Sequence, residues 1–186
     1  MAIGKDFSFI GRLSLDFAQT GDMGYGARFE RLTSGSELRR WLSLSTLGLV
    51  NAPATIADLT RARRLRGAIW RIANALLARS KPEVRDVRLL NATATQSGLA
   101  RELDLTATTS HWHRPTASAA LATIAQDAVD LFGDPSARAR LRRCENHSCR
   151  VVFYDDSRPG QRRWCAPNRC GDRVRAQTYR DRHPNA

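Results

Sequence analysis

CENHSCRVVFYDDSRPGQRRWCAPNRCGDR, residues 144–173, holds every cysteine of the 186-residue chain. They fall as two C-x4-C pairs, Cys144 with Cys149 and Cys165 with Cys170, fifteen residues apart. Two short thiolate pairs joined by such a loop suit one tetrahedral Zn(Cys)4 site. Metal–thiolate bonds also supply folding free energy that a small core lacks. The competing readings are two disulfides, four unrelated thiols or a redox pair. Disulfides need an oxidising compartment. The start, MAIGKDFSFIGRLSLDF, lacks the basic opening, apolar run and small-residue cleavage site of a secretory signal. No run of about 18 apolar residues suits a membrane span. The expectation is therefore a cytoplasmic protein with reduced thiols. Redox chemistry favours C-x2-C, which is absent. His147, inside the first pair, could replace a cysteine as ligand, but with four thiolates available it is read as a bystander or a donor to a sulfur. Four protein ligands leave no open position, so the metal is expected to be structural.

Outward from this stretch, charge is uneven. The chain carries +12 in all. Residues 136–186 contain thirteen Arg, no Lys and five acids, or +8, leaving +4 for residues 1–135. A basic excess beside a metal module is the footprint of a phosphate-backbone binder. The plain alternatives are a solvated surface, an acidic protein partner or an anionic ligand. Arg162, Arg163, Arg169, Arg173 and Arg175 crowd the second cysteine pair and are the candidate nucleic-acid contacts. Arg173 is expected to pair with Asp155 or Asp156, and Arg163 to stack on Trp164.

Upstream, hydrophobic spacing predicts a mainly helical region with one small hairpin. Leu13, Leu15 and Phe17 alternate as in a short strand. Gly21, Gly24 and Gly26 mark a loop. Ser34 and Glu37 have capping-box spacing ahead of a helix to about Leu49. Ile56, Leu59, Ala62, Leu65, Ile69, Ile72 and Leu76 line a longer helix. Arg61, Arg63, Arg64 and Arg66 on it are read as a solvated face. A third helix follows Pro82 and ends near Gly98. Residues 101–113 switch to a β pattern with Thr106, Thr108 and Thr109. His111 and His113 share a face there, as two metal ligands would, and Trp112 is expected to pack on the core. Residues 116–132 return to helix, with Leu121, Ile124, Ala128 and Leu131 on one face. Gly133-Asp134-Pro135 then marks the boundary between a helical domain, 1–135, and a zinc module, 136–186. Loss of a ligand, as in Cys165→Ser, is expected to unfold the module and largely spare the helical domain. Within the module, a strand at Val151–Phe153, a turn at Asp155–Gly160 and a helix from Cys170 or Gly171 are predicted.

The module resembles the CGNR zinc finger: a cysteine pair, an apolar strand ending at Phe153, the Asp155–Ser157 turn, Arg163-Trp164-Cys165, then Cys170-Gly171-Asp172-Arg173. Asp172 stands where the family has Asn; a carboxylate cannot donate as an amide does. LSLDFAQT, residues 13–20, is similar to the LDFxNT opening of the ABATE domain, the usual companion of this finger. Phe29-Glu30-Arg31-Leu32, Ser34 to Trp41-Leu42 and Leu89-Leu90-Asn91 also fit. The resemblance implies a bacterial, stress-linked transcription regulator.

Three functions follow as expectations. The first is a regulator of transcription on double-stranded DNA, a homodimer by the logic of paired half-sites, with a small-molecule ligand or a partner for the helical domain. RNA is the variant in which Tyr154, Trp164 and Tyr179 stack on bases. The second is a protein-interaction adaptor stapled by a purely structural zinc. The third, an enzyme, is not expected: the acids are scattered, no Gly-x-Ser-x-Gly elbow occurs and the cysteines are consumed by metal.

Overall fold

The computed structural model describes residues 7–21, 30–50, 52–149 and 151–183. The glycine loop expected at Gly24 and Gly26, and Phe29, lie outside them. The fold is mainly helical with two small antiparallel sheets.

α1 (Leu13–Ala18) lies at the centre. The alternation of Leu13, Leu15 and Phe17 predicted a strand; the segment is a short helix. Ser14, Leu15, Asp16, Phe17 and Ala18 are all buried, so enclosure on every side removes the polar face that marks helical period. α2 (Gly35–Leu44) begins where Ser34 Oγ accepts the Glu37 N–H at 3.2 Å. It ends five residues before the predicted Leu49. Ser45 turns extended, and Gly48 reverses the chain at φ +62°, a conformation that suits glycine. α3 (Ile56–Leu77) carries a full capping box, with Thr55 and Asp58 each bonding the other's backbone N–H. α4 (Val84–Ala94) packs on α3 and α5 (Ala117–Gly133). Ala120, Ala122, Ala125 and Ala128 are fully buried along α5, where small side chains let helices approach closely. Phe17 meets Trp41 edge-on, ring centroids 5.0 Å apart.

The basic face predicted for α3 is not uniformly solvated. Arg66 is buried; it bonds Glu30 through both terminal nitrogens, at 2.7 and 2.5 Å, and the Thr20 carbonyl at 3.2 Å. Arg63 bonds the Leu32 carbonyl and Arg61 pairs with Asp58. Arg64 stays exposed. The hairpin at 101–113 forms as predicted, β1 (Arg101–Leu103) against β2 (Ser110–Trp112). Trp112 rests on the core and donates Nε1–H to the Leu47 carbonyl at 2.7 Å.

One residue, Asp134, separates α5 from α6 (Pro135–Arg138). β3 (Leu141–Arg143) and β4 (Val152–Tyr154) then form the second hairpin. Side chains alternate along a strand, and β4 uses both faces. Val152 lies in the helical core, with Leu141 beside it and Tyr154 against it. Val151 and Phe153 lie in a second cluster with Cys144, Cys165 and Cys170. The hairpin is thus a wall between two cores, and packing crosses the stretch at Gly133–Pro135. A single π-helical turn (Pro167–Gly171) leads into α7 (Asp172–Arg182).

Candidate metal centre

Two turns bring the cysteines together. The first cysteine pair closes through Asn146: the Cys149 N–H reaches the Asn146 carbonyl at 2.7 Å, and Asn146 Oδ1 accepts from Ser148 N–H and Oγ–H. Asn146 is buried. It was not among the residues predicted from sequence, although an Asn side chain commonly accepts the backbone N–H two residues on. Cys170 closes the second pair on the π turn, its N–H on the Ala166 carbonyl at 2.7 Å.

All four sulfurs lie within 4.8 Å of one another, with Cys149–Cys165 at 3.7 Å and Cys165–Cys170 at 3.6 Å. Sulfurs bound tetrahedrally at about 2.3 Å from a zinc ion are about 3.8 Å apart. The cysteines are free and three of the four are buried. Hydrogen bonds from the Cys149 and Cys165 thiols hold the Cys144 thiol well below its ordinary value. Cys149, donating to Cys144, is pushed up, and Cys165, donating to both, is pushed up as well. Sulfurs this close repel one another as anions; a divalent cation removes that conflict and takes all four as thiolates. Backbone N–H groups of Asn146 and Cys165 also face the Cys144 sulfur, and that of Val151 faces Cys149. The set fits one structural zinc ion. His147 is exposed and outside the group.

His111 and His113 do not join a second centre. Glu102 pairs with both, at 2.9 and 2.6 Å, and among the described residues only the four cysteines gather as a metal set.

The five candidate arginines differ in what they touch. Arg162 donates to the Cys165 carbonyl at 2.9 Å and the Trp164 carbonyl at 3.4 Å, pairs with Asp156 at 2.5 Å and lies 5.0 Å from the Phe153 ring centroid. The partnership expected of Arg173 with Asp155 or Asp156 therefore falls to Arg162. Asp155 is buried and takes Ser157 N–H and Oγ–H and the Arg162 N–H. Burial alone would raise its pKa; those bonds win and hold it below the ordinary carboxylate value. Arg163 pairs with Glu145 at 2.6 Å and lies over Trp164 at 5.0 Å, the stacking expected of it. Arg175 pairs with Asp172 and lies 5.7 Å from the same ring. Gly171 belongs here because a Cβ would stand 3.2 Å from Trp164 Cε3. Arg169 reaches Ser8 Oγ at 3.1 Å. Arg173 is exposed and forms no ion pair among the described residues.

Sequence reasoning missed three contributors. Ile10, from the far end of the chain, is buried in the cysteine cluster. Arg140 bonds the Asp155 and Ser157 carbonyls, and Arg142 bonds those of Ala139, Leu141 and Gly160. Counted as charge, these arginines gave no sign of being struts.

Residues 11–135 match the family model of ABATE, described as "Putative stress-induced transcription regulator". The chain belongs to the ABATE family. Residues 140–183 match the CGNR zinc finger, so the ABATE domain precedes its finger here as the motifs implied. No curated protein matches the chain. Within the ABATE part, Asp16 of the LDF motif is buried and accepts the Ile10 N–H at 2.6 Å. The motif thereby holds the segment that enters the zinc core. Among the described residues, no helix is long and apolar enough to cross a membrane.

Proposed function

We propose that this ABATE protein is a bacterial, cytoplasmic, stress-linked transcription regulator that binds double-stranded DNA through its zinc module. One observation carries the reading. The module holds +8, and guanidinium groups left without an acid crowd its zinc-ordered turns. Arg143, Arg158, Arg173 and Arg182 are exposed and form no ion pair among the described residues, and the side chains of Arg169 and Arg180 bond the neutral partners Ser8 and Gln177. DNA would take these positions, phosphates among them by counterion release. Arg163, Arg169 and Arg173 serve as contacts from the second cysteine pair, while Arg175 lies back against the Trp164 ring. Arg162 serves by holding the turn from which they project. The zinc takes no part in catalysis, having four protein sulfurs and no open position. A homodimer and a ligand for the helical domain complete the proposal.

The adaptor reading has an observation of its own. Arg162, Arg163 and Arg175 already hold Asp156, Glu145 and Asp172, which is what a self-contained structural module needs. Titration of a random-sequence duplex separates the two. The regulator binds at low salt, and its affinity falls steeply between about 50 and 200 mM salt. Absence of binding at the lowest salt selects the adaptor.

A further inference from the structure

α7 has no buried residue, and only Val174 along it is even half-buried. It packs chiefly on the π turn that precedes it. A helix that is polar all round holds its place by bridging to something else or by its own side-chain pairs. Four of its eleven residues are arginine: Arg173, Arg175, Arg180 and Arg182. Cys170, two residues before its start, is a zinc ligand, so the metal fixes the direction in which the helix leaves the module.

The two sides of α7 are not alike. Arg175 turns back to Trp164, whose ring would crowd a Cβ at Gly171, so that side faces the module. At about 100° per residue, Arg173, Gln177 and Arg180 lie roughly 140–160° around the helix from Arg175. They form one stripe at i, i+4 and i+7 on the outward side. Arg180 donates to Gln177 Oε1 at 2.7 Å, and Gln177 donates to Asp181 Oδ1 at 2.7 Å. These bonds are exposed and stay within the helix.

Resting on the DNA-binding reading above, we propose that α7 is the element that enters the major groove, with Arg173, Gln177 and Arg180 facing base edges. An eleven-residue helix is about 16 Å long and 10–12 Å across, and the groove is about 12 Å wide. Arginine pairs with guanine and glutamine with adenine, each through two hydrogen bonds. The occupant is a nucleic-acid duplex because the stripe offers two cations beside an amide. Asp181, the one carboxylate on that side, is held by Gln177.

The test uses the full-length zinc-loaded protein. Binding to a random-sequence duplex and to duplexes selected from a random pool is followed by fluorescence anisotropy over several salt concentrations. Arg173→Ala/Arg180→Ala should weaken binding to the selected duplex by roughly 5- to 100-fold per arginine. Gln177→Ala should reduce preference for the selected duplex over the random one, and unaltered preference in this variant overturns the role of Gln177 at the base edges. If the double variant loses zinc, Arg173→Lys/Arg180→Lys replaces it; retained charge with relaxed sequence preference supports the proposal, and unaltered preference overturns it. Wild-type affinity, slope and preference in the double alanine variant overturn the role of α7 while leaving DNA binding intact. No duplex binding by the wild type overturns both readings. Conversion of a dimer to a monomer by the double variant, with DNA binding unchanged, assigns the helix to a second copy and overturns the proposal.

Discussion

Arg162 touches two carbonyls, one carboxylate and one aromatic ring at the entrance to the second cysteine pair. Truncating it strands those carbonyls and a partly buried turn, so Arg162→Ala should cost roughly 2–3 kcal/mol. Lysine should not restore it, because a point charge lacks the planar fork that reaches several acceptors. Urea unfolding and the rate of zinc loss to a chelator measure this; wild-type values in both would refute the strut. Asp16 makes a pH prediction. Burial raises its pKa from 3.8 to about 6, against the backbone N–H bonds of Ile10 and Gly11 that lower it, and Asp127 adds to the rise. The folded state therefore binds the proton more tightly than the unfolded chain. The resulting stability is complete below about pH 4 and is lost as pH rises through about 6, near 3 kcal/mol in all. Asp16→Asn keeps an acceptor for the Ile10 N–H without the charge. It should flatten that decline and stabilise the protein at pH 7, as thermal melts from pH 4 to 8 would show; an unchanged decline would place its cause elsewhere.

At the scale of elements, β4 decides how the module attaches. Val152 and Phe153 are neighbours in sequence but belong to different cores. Val152→Ala should cost roughly 2 kcal/mol and leave zinc retention intact, while Phe153→Ala should cost roughly 3–5 kcal/mol and speed zinc loss. Equal effects on zinc from both would contradict the two-faced wall. The elements easiest to read were those with caps or turns encoded within four residues, such as Ser34 with Glu37 and Ser157 with Gly160 at φ +63°. α1 was misread because burial on all sides hides its period. α2 was drawn too long because leucines beyond Ser45 continue to be buried without being helical: Leu47 and Leu49 line the core from a loop.

Across the whole molecule, the zinc core and the helical core share β3–β4 and the segment around Ile10. A boundary at Gly133–Pro135 predicted that losing zinc would spare the helical part. The packing predicts a wider effect. Chelating the zinc should expose amides of α1 and of the α3 turns facing β3–β4 to faster hydrogen exchange, and Cys165→Ser should do the same, while the exposed β1–β2 hairpin exchanges as before. Unchanged protection in α1 and α3 would show that the wall carries little energy. Structural zinc contributes on the order of 10 kcal/mol to small modules, enough for its loss to be felt through a shared core.

What the sequence alone determined was chemistry confined to a few residues: the Zn(Cys)4 set from its spacing, the helix cap at Ser34, the hairpin at 101–113, the turn at Asp155–Gly160 and the family motifs. Such features are legible because their partners lie within a turn or two of the chain. Only the tertiary structure decided which charges are struts and which are free. Arg66 finds Glu30 across 36 positions, Arg169 finds Ser8 across 161, and Ile10 enters a core built from residues beyond 140. Side-chain type states what a group can bond. Which partner it meets depends on where folding brings distant segments, because burial and hydrogen bonding act through space.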